Sequence, residues 1–333
     1  MPVPLRFLTA LLVAVTAIVF HQVFFSSNST PPPADFGSGS MFDMIARRYD
    51  MINRVLAVGM DVGWRKQMVQ VVKERVVAST TTAAPRLLDV ATGTADVALL
   101  LADAMPTATV LGIDPSANML QVGREKVAQR SLSHRVELQQ HDARQSFAID
   151  DHSFDAATMA FGIRNIVEKE AALCHIHAML KDGATFCILE FSEPDGTSFG
   201  VMGQLARLFI RHVIPTLGGL LSGKPREYWH LQNSIQDFPS PPQFVQFIQT
   251  TQCPTGNFVV EELRQLNFGS VQLYVSKVEQ TGEEEDHDSE EDEEDEDEEE
   301  EDEEDDEDEE DDEEEDDQED DEEDEDDASE KQA

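Results

Sequence analysis

Two short apolar runs that each end in an aspartate constrain the fold of this chain most. The first, Leu87-Leu88-Asp89-Val90, opens into the small-residue turn Ala91-Thr92-Gly93-Thr94. The second, Val110-Leu111-Gly112-Ile113, ends at Asp114, which lies 20 residues after Thr94. The segment between the two runs has the pattern of a helix. This order of strand, tight turn, helix and strand is half of a nucleotide-binding βαβ unit.

The turn also limits the kind of nucleotide. A dinucleotide fingerprint, G-x-G-x-x-G, needs three glycines so that the backbone can approach a pyrophosphate, and here Gly93 stands alone. Asp114 has the spacing at which a carboxylate accepts hydrogen bonds from ribose hydroxyls. A ligand with a ribose and no phosphate therefore fits better, which points to S-adenosylmethionine as cofactor.

Each candidate cofactor contact is assigned from its place at a strand end. Asp114 suits the ribose; alternatively it caps the helix that follows. Asp89, Gly93 and Thr94 suit the methionine end, where backbone groups and a carboxylate meet an ammonium; alternatively Asp89 only stabilises the turn. The pair Asp142-Ala143, just after the third predicted strand, is placed to touch the adenine edge.

The turn after the fourth predicted strand, Phe161-Gly162-Ile163-Arg164-Asn165, holds both a cation and an amide. Methyl transfer from a sulfonium is an in-line displacement, to which a protein contributes orientation and removal of a proton from the acceptor. Arg164 is suited to stabilise a developing phenolate by its charge. The alternative is a surface ion pair between Arg164 and Glu168.

Charge separates the C-terminus from the rest of the chain. Residues 283–333 hold 43 of the 69 acidic residues and a single basic one, Lys331, so this tail carries about −42. The rest of the chain holds 26 acidic and 23 basic groups and is nearly neutral. Like charges at this density predict a disordered tail over residues 281–333, which either solvates the protein or contacts a basic protein partner. We expect no nucleic-acid partner.

The N-terminus is apolar over residues 5–25, which at about 1.5 Å per residue could span most of a bilayer as a helix. The same stretch resembles the apolar part of a signal peptide. We predict that residues 1–25 form a targeting segment or membrane anchor and favour an uncleaved one. Residues 26–40, rich in Ser, Pro and Gly, predict a linker. The folded body then spans residues 41–280, enough for one α/β domain.

The body alternates predicted strands and helices, which is typical of a parallel sheet with helices on both faces. Strands are predicted at residues 86–91, 109–114, 136–141, 154–161, 184–191, 258–267 and 270–278, and helices at 42–77, 97–104, 119–129, 168–180 and 198–221. Ser116 is expected to cap the third helix, and Gly183 to end the fourth as its C′ residue. The first and last helical segments either pack on the sheet or cover a cleft that binds an apolar substrate.

The three cysteines of the chain, Cys174, Cys187 and Cys253, have neither paired nor metal-like spacing. Apolar neighbours surround Cys174 and Cys187, which predicts that both are thiols in the core. We therefore expect no disulfide framework and no metal site.

Several segments in order through residues 42–278 carry a resemblance to a known family. They are Tyr49-Asp50-Met51-Ile52-Asn53, Trp64-Arg65, residues 88–96, residues 119–126, Ser153-Phe154-Asp155, residues 161–165, Leu189-Glu190-Phe191-Ser192 and Tyr228-Trp229-His230-Leu231. The chain resembles the UbiE/MenG family of quinone-ring C-methyltransferases. The glycine turn alone would indicate only a class I methyltransferase, whereas residues 161–165 with the Tyr49 and Leu189 segments are more specific.

The resemblance implies an α/β fold of the class I S-adenosylmethionine-dependent methyltransferases, Rossmann-like, with a seven-stranded sheet whose last strand is antiparallel. It implies S-adenosylmethionine as methyl donor and a ring carbon of a polyprenylated benzoquinol or naphthoquinol as acceptor. Carried over by position, Thr94, Asp114 and the pair Asp142-Ala143 are cofactor contacts. Arg164 and Asn165 lie next to the reacting ring as the candidate catalytic residues.

The chain departs from the family pattern at two positions near the cofactor: Ala95 stands where Gly is usual and Ala160 where Ser is usual. Two other functions stay open, a methyltransferase for another phenol or lipid and an inactive binding protein that uses its acidic tail. A homodimer or a quinone-synthesis complex would be compatible with the leading function. The resemblance suggests the matrix face of the mitochondrial inner membrane, whereas the apolar N-terminus also fits a plastid or endomembrane address.

Overall fold

One mixed sheet of seven strands forms the centre of the fold. In this computed structural model, the described residues are 39–79, 82–146, 152–194, 199–222 and 225–281. The strands are β1 (Arg86–Val90), β2 (Thr109–Asp114), β3 (Val136–Gln140), β4 (Phe154–Ala160), β5 (Leu180–Phe191), β6 (Gly256–Leu266) and β7 (Val271–Gln280). They lie in the order β3-β2-β1-β4-β5-β7-β6. The first five are parallel, and β7 runs antiparallel between β5 and β6. The predicted seven strands and the antiparallel last strand are confirmed.

Helices cover both faces of the sheet. They are α1 (Gly39–Leu56), α2 (Met60–Ser79), α3 (Asp96–Ala104), α4 (Ala117–Gln129), α5 (Lys169–Met179), α6 (Gly200–Leu208), α7 (Ile214–Ser222), α8 (Pro225–Asp237) and α9 (Pro241–Thr250), and a π-helical segment, Phe209–Val213, joins α6 to α7. The core on one face contains residues of α2, α3 and α4. The core on the other face contains residues of α5 and α9.

A third apolar cluster joins helices that lie away from the two faces. Ile52 and Leu56 of α1 are buried together with Ile210, Ile214 and Ile235 from the segments between β5 and β6. The predicted helix over residues 42–77 is thus two helices, which pack against different parts of the fold. The second, α2, packs on the sheet, whereas α1 packs on the α6–α8 region.

The break between α1 and α2 comes from a helix C-terminal motif. The Gly59 N–H donates to the Arg54 carbonyl (2.7 Å) and the Val58 N–H to the Val55 carbonyl (3.1 Å). Val58 and Gly59 both have positive φ, 51° and 75°. This is the Schellman pattern, which satisfies the free carbonyls at the end of a helix and reverses the chain.

Gly183 does not end a helix, so that prediction was wrong. Helix α5 stops at Met179, and Leu180 already has extended backbone and begins β5. Gly183 (φ 72°) lies inside β5, where the pairing with β4 shifts between Phe154 and Ala156. A positive φ at Gly183 allows the strand to absorb the extra residues of this irregularity.

Cys174 and Cys253 form a disulfide, with their Cα atoms 4.9 Å apart, so the predictions of a core thiol at Cys174 and of no disulfide were wrong. The two residues are 79 positions apart in the chain and meet because α5 lies beside the start of β6. Spacing in the sequence cannot reveal such a pair. Cys187 is a buried free thiol, as predicted, and burial raises its pKa to about 12.

The predicted targeting segment (1–25), nearly all of the predicted linker (26–40) and all but Thr281 of the acidic tail (281–333) lie outside the described residues. Within the described ranges, no helix combines the length and the apolar character needed to cross a bilayer. The described elements run from Gly39 to Gln280.

Candidate active site

A cavity of about 320 Å³ lies at the carboxyl ends of β1, β2 and β4. The strand order reverses between β1 and β4, and open α/β sheets bind their ligands at such a switch point. The volume suits a small molecule. The residues that line this cofactor cavity include all six of the predicted cofactor contacts, Asp89, Gly93, Thr94, Asp114, Asp142 and Ala143.

Asp89 organises the turn that follows β1. Its carboxylate accepts hydrogen bonds from the Thr92 hydroxyl (2.6 Å), the Ala98 N–H (3.1 Å) and the Thr158 hydroxyl (2.7 Å). Burial raises the pKa of Asp89 to about 6. These hydrogen bonds stabilise the turn, which is one of the two roles that the sequence suggests for Asp89. Asp89 also borders the cofactor cavity.

Asp114 is buried at the end of β2 and accepts hydrogen bonds from two backbone groups. The Gly93 N–H binds one carboxyl oxygen and the Ser116 N–H the other, both at 2.9 Å. A carboxylate has about four acceptor positions, so two remain for a ribose diol. Burial raises the pKa of Asp114 to about 6. Ser116 caps α4 as predicted, because its hydroxyl accepts the Met119 N–H.

The turn has left-handed backbone at Ala91 (φ 53°), Gly93 (φ 56°) and Ala95 (φ 66°). For an L residue that conformation costs about 1–2 kcal/mol relative to the right-handed region. Ala95 therefore retains the backbone conformation that glycine adopts without strain. Alanine in place of the usual glycine at position 95 therefore adds strain to the turn, while the backbone follows the same course.

Helix α1 is fastened to the glycine turn by a cluster of charged and hydroxyl groups. Asp50 accepts a hydrogen bond from the Thr94 hydroxyl (2.6 Å) and pairs with Lys126 (2.6 Å). Lys126 also contacts the Thr94 hydroxyl (2.9 Å) and Asp96 (2.7 Å). The hydroxyl of Thr94, a predicted cofactor contact, is thus engaged in joining α1 to α4.

A second polar contact fastens α1 to the start of α4. The Asp43 carboxylate accepts hydrogen bonds from the Ser116 hydroxyl (2.5 Å) and the Asn118 N–H (2.9 Å). Phe42 and Tyr49, the residues just before Asp43 and Asp50 in the chain, border the cofactor cavity. Helix α1 therefore covers one side of the cofactor cavity.

Asp142 and Ala143, for which contact with the adenine is predicted, border the cofactor cavity just after β3. Arg144 binds the Asp142 carboxylate, at 2.6 Å in the shortest contact, and holds the pKa of that carboxyl below its usual value. Arg144 also donates to Glu168 (3.0 Å). Because Glu168 pairs with Arg144, the alternative interpretation of Arg164 as a surface partner of Glu168 was wrong.

A second cavity, of about 370 Å³ and mostly apolar, adjoins the first. Its walls come from α1, α2, the turn after β4 and the α6–α7 region. The residues that border both cavities are Phe42, Tyr49, Arg65, Phe161 and Asn165. This acceptor cavity therefore opens toward the cofactor cavity at the residues where a methyl group would have to pass.

Arg164 is buried at the acceptor cavity and held by Glu190. Its backbone N–H donates to the Glu190 carboxylate (3.2 Å) and its guanidinium donates to the same group. Its Nε donates to the Ser234 hydroxyl (2.9 Å), and its Cζ lies 5.7 Å from the centroid of the Phe191 ring. Burial raises the pKa of Glu190, which the Arg164 charge opposes.

Asn165 ends the short 3₁₀ turn Ile163–Asn165 and borders both cavities. A methyl group at Gly162 would lie 2.5 Å from the Ala91 side chain, so the absence of a side chain lets this turn sit against the turn after β1. Close packing of the two turns brings Asn165 to the cofactor cavity, while Arg164 borders the acceptor cavity.

Four residues of the site had no assigned role in the sequence. They are Tyr49, Asp50, Arg65 and Glu190. Burial raises the pKa of Tyr49, and the charges of Arg65 and Arg164 act in the opposite direction. All four belong to segments that carry the family resemblance, which was the available signal. Their neighbours in the chain give no local pattern that points to a site.

The residues of the cofactor cavity fit S-adenosylmethionine. Asp114 has acceptor positions for a ribose diol, the apolar lining residues Ile113, Pro115 and Ala143 suit an adenine, and the side that adjoins the acceptor cavity suits the methyl group. When bound, this cofactor supplies an electrophilic methyl group.

The comparison with protein families agrees with this geometry. A model described as the ubiE/COQ5 methyltransferase family matches residues 35–273. A ubiquinone/menaquinone biosynthesis C-methyltransferase UbiE from Geotalea daltonii is 41% identical over 207 residues, covering 61% of this chain and 82% of the relative. A demethylmenaquinone methyltransferase from Thermus thermophilus is 37% identical over 235 residues, covering 71% of this chain and 98% of the relative.

Among solved structures, an O-methyltransferase family protein from Burkholderia thailandensis superposes with a TM-score of 0.52 at 13% identity, covering 81% of this chain and 70% of that one. At this identity the likeness concerns the fold alone, which is that of a class I methyltransferase. The protein is a methyltransferase, and S-adenosylmethionine is its cofactor. The chain belongs to the ubiE/COQ5 methyltransferase family.

Proposed function

We propose that this protein methylates a ring carbon of a polyprenylated benzoquinol or naphthoquinol in quinone biosynthesis. The observation that carries the proposal is the apolar acceptor cavity that adjoins the cofactor cavity, with Arg164 on its wall and Asn165 between the two. Aromatic side chains shape that cavity, since the Phe161 and Phe191 rings stack with centroids 4.6 Å apart. The names of the relatives from Geotalea and Thermus support a quinone precursor as acceptor.

In this proposal the chain prepares the acceptor rather than the donor. A quinol hydroxyl that loses its proton makes the adjacent ring carbon nucleophilic, and the Arg164 guanidinium stabilises the phenolate charge. Arginine stays protonated in proteins, so the hydroxyl proton leaves to water. After the ring carbon has gained the methyl group, it loses its own proton to water and the phenolate oxygen regains a proton, so that one proton in all is released for each methyl group transferred. Helix α1 places Phe42 and Tyr49 at the junction of the two cavities, and partial shielding from bulk water there strengthens the electrostatic interaction.

The acceptor cavity continues into an exposed apolar rim. Val58, Met202, Leu205 and Phe268 border the cavity and are each more than a third exposed. Apolar patches of this kind mark ligand grooves or interaction sites. We propose that the polyprenyl chain lies along this rim and that the protein acts at a membrane surface, on the matrix face of the mitochondrial inner membrane. Imaging of a fusion tagged before the acidic tail tests the location.

A methylation assay tests the function. The full chain is incubated with labelled S-adenosylmethionine and a panel of short-chain benzoquinols, naphthoquinols, simple phenols and lipids. We expect label on a ring carbon of a quinol. Arg164→Ala should lower kcat by about 100-fold, because a charge aimed at the developing phenolate is lost, with little change in the Kd of the cofactor.

The matched control for that variant is Arg130→Ala, which removes an exposed arginine outside both cavities. Its activity should equal that of the wild type. Label on oxygen, label on a phenol in preference to every quinol, or full activity of Arg164→Ala would contradict the proposal.

A further inference from the structure

Arg65 is a buried cation for which the reaction above has no task. It lies on α2 with 9% of its surface exposed, and it is one of the residues that border both cavities. It also belongs to the Trp64-Arg65 segment of the family resemblance. A buried charge is costly unless it is paired and hydrogen-bonded, so its position at the junction calls for an explanation.

Arg65 is held in place by a carboxylate and a ring. Its guanidinium donates to Asp61, one helical turn earlier, at 2.5 Å, and Asp61 is itself buried. The Arg65 Cζ lies 5.3 Å from the centroid of the Phe161 ring. Within the described part of the chain, Asp61 is the hydrogen-bond partner found for Arg65. A guanidinium has five N–H donors, so several remain for a ligand in the cavities that Arg65 borders.

Arg164 has the same kind of environment on the neighbouring ring. Phe161 and Phe191 stack on each other, Arg65 packs on the first and Arg164 on the second. A buried carboxylate holds each arginine, Asp61 in one case and Glu190 in the other. The acceptor cavity therefore presents two fixed guanidinium groups beside one aromatic stack.

The phenol of Tyr49 lies near both cations. The charges of Arg65 and Arg164 each act to lower the pKa of this hydroxyl against the effect of burial. Both cations therefore act on the same part of the cavity, next to the opening toward the cofactor. An acceptor that carries oxygen on two sides of its ring would bring an acceptor atom to each of them.

We propose that Arg65 and Arg164 each bind one oxygen of the acceptor ring, so that the site selects a ring with two oxygen substituents over a ring with one. The identity of the acceptor class rests on the proposed function. Selection follows because a missing oxygen leaves buried guanidinium donors without a partner, which costs more than the loss of a solvent-exposed hydrogen bond. Arginine suits the task because its charge is permanent and its donors are directional.

The test measures binding to the full chain by calorimetry, anaerobically and with S-adenosylhomocysteine present. The ligands are a short-chain prenylhydroquinone and its two monodeoxy analogues, each of which lacks one hydroxyl. The wild type should bind the hydroquinone about 10-fold more tightly than either analogue. Arg65→Gln should bind the hydroquinone and one analogue about 10-fold more weakly than the wild type does. It should bind the other analogue as the wild type does, because that ligand lacks the oxygen that Arg65 holds.

Two further variants keep the test decisive. Arg65→Gln removes the short ion pair of the buried Asp61 carboxylate and leaves the longer contact with Arg54 at 4.0 Å, so the double variant Asp61→Asn with Arg65→Gln removes both charges of the short pair together. Arg75→Gln changes an arginine of the same helix that pairs with Glu261 outside both cavities, and it should bind all three ligands as the wild type does.

The proposal would be overturned if Arg65→Gln weakened the binding of all three ligands equally, or if it weakened the binding of none of them. So would a wild type that binds the hydroquinone no better than its analogues. The proposed function fails separately, if the wild type transfers no methyl group to any quinol. Binding preference and methyl transfer are independent readouts, so the two failures are distinguishable.

Discussion

Three buried carboxylates with different tasks shape the site at the level of single residues. Asp89 holds the turn after β1 through side-chain and backbone donors. Asp114 binds two backbone N–H groups and retains acceptor positions toward the cofactor cavity. Glu190 fixes the direction of Arg164. In each case the hydrogen-bond partners decide the role of the acid.

The raised pKa of Asp114 predicts a pH-dependent cofactor affinity. Burial raises it to about 6 from an ordinary value of 3.8, and ribose hydroxyls donate best to the ionised form. The affinity for S-adenosylhomocysteine should therefore be constant above about pH 7 and fall below pH 6, by up to 10-fold per pH unit, because the carboxyl must first lose its proton. Calorimetry between pH 5 and 8 measures this fall.

Asp114→Asn is the control for the pH effect. It should bind the cofactor product more weakly at pH 7.5 and show a shallower pH dependence, since the titrating group is absent. Asp89, whose pKa is also raised to about 6, mainly by burial, is present in both proteins. The Asp114 charge is the smallest cause of that rise, so Asp89 contributes nearly equally to the two pH profiles. Parallel pH profiles for the two proteins would mean that Asp114 is not the group responsible.

Helix α1 is the element that connects the two cavities. Polar contacts of Asp43 and Asp50 fasten it above the cofactor cavity, and its apolar residues Ile52 and Leu56 pack on the region that lines the acceptor cavity. Of its residues, Phe42, Tyr49 and Asp50 border the cofactor cavity.

Asp50→Ala should loosen the attachment of α1 over the cofactor cavity. The variant loses the ion pair with Lys126 and the hydrogen bond from Thr94, together worth about 1 kcal/mol for partly exposed groups. The dissociation rate of S-adenosylhomocysteine, measured by stopped flow, should rise roughly 5-fold. Asp103→Ala, which breaks the exposed pair with Arg130, should leave the rate unchanged. Equal rates for wild type and Asp50→Ala would show that the contact does not retain the ligand.

The disulfide belongs to the scale of the whole molecule. It joins α5 on one face of the sheet to the segment before the edge strand β6, and neither of its cysteines borders either cavity. It closes a long loop that contains β5 and the α6–α9 region. Its expected effect is therefore on the stability of the body rather than on the site.

Cys253→Ser should lower the free energy of unfolding by about 2–4 kcal/mol, since the unfolded chain regains the freedom of the loop. Chemical denaturation with and without the substitution measures the change, and the Kd of the cofactor should not change. Thiol titration of the denatured, unreduced wild type should find one thiol, that of Cys187. Three thiols would contradict the bridge.

Local patterns in the sequence were sufficient for most of the sheet. The predicted limits of β2, residues 109–114, agree with the structure, and those of β1, β3 and β4 differ by one residue. Apolar runs and their flanking turns are properties of neighbouring residues, so they can be recognised without a fold. The errors at Gly183 and Cys174 had the opposite cause, because remote strands and remote cysteines determine those positions.

The sequence by itself determined the class of fold, the kind of cofactor and the turn at which the cofactor cavity forms. It could do so because strand, turn and helix follow one another between Leu87 and Asp114. Only the tertiary structure decided which groups surround the acceptor. Glu190 beside Arg164, Arg65 beside Phe161 and α1 above the glycine turn each join residues far apart in the chain, and such contacts arise from packing rather than from any local pattern.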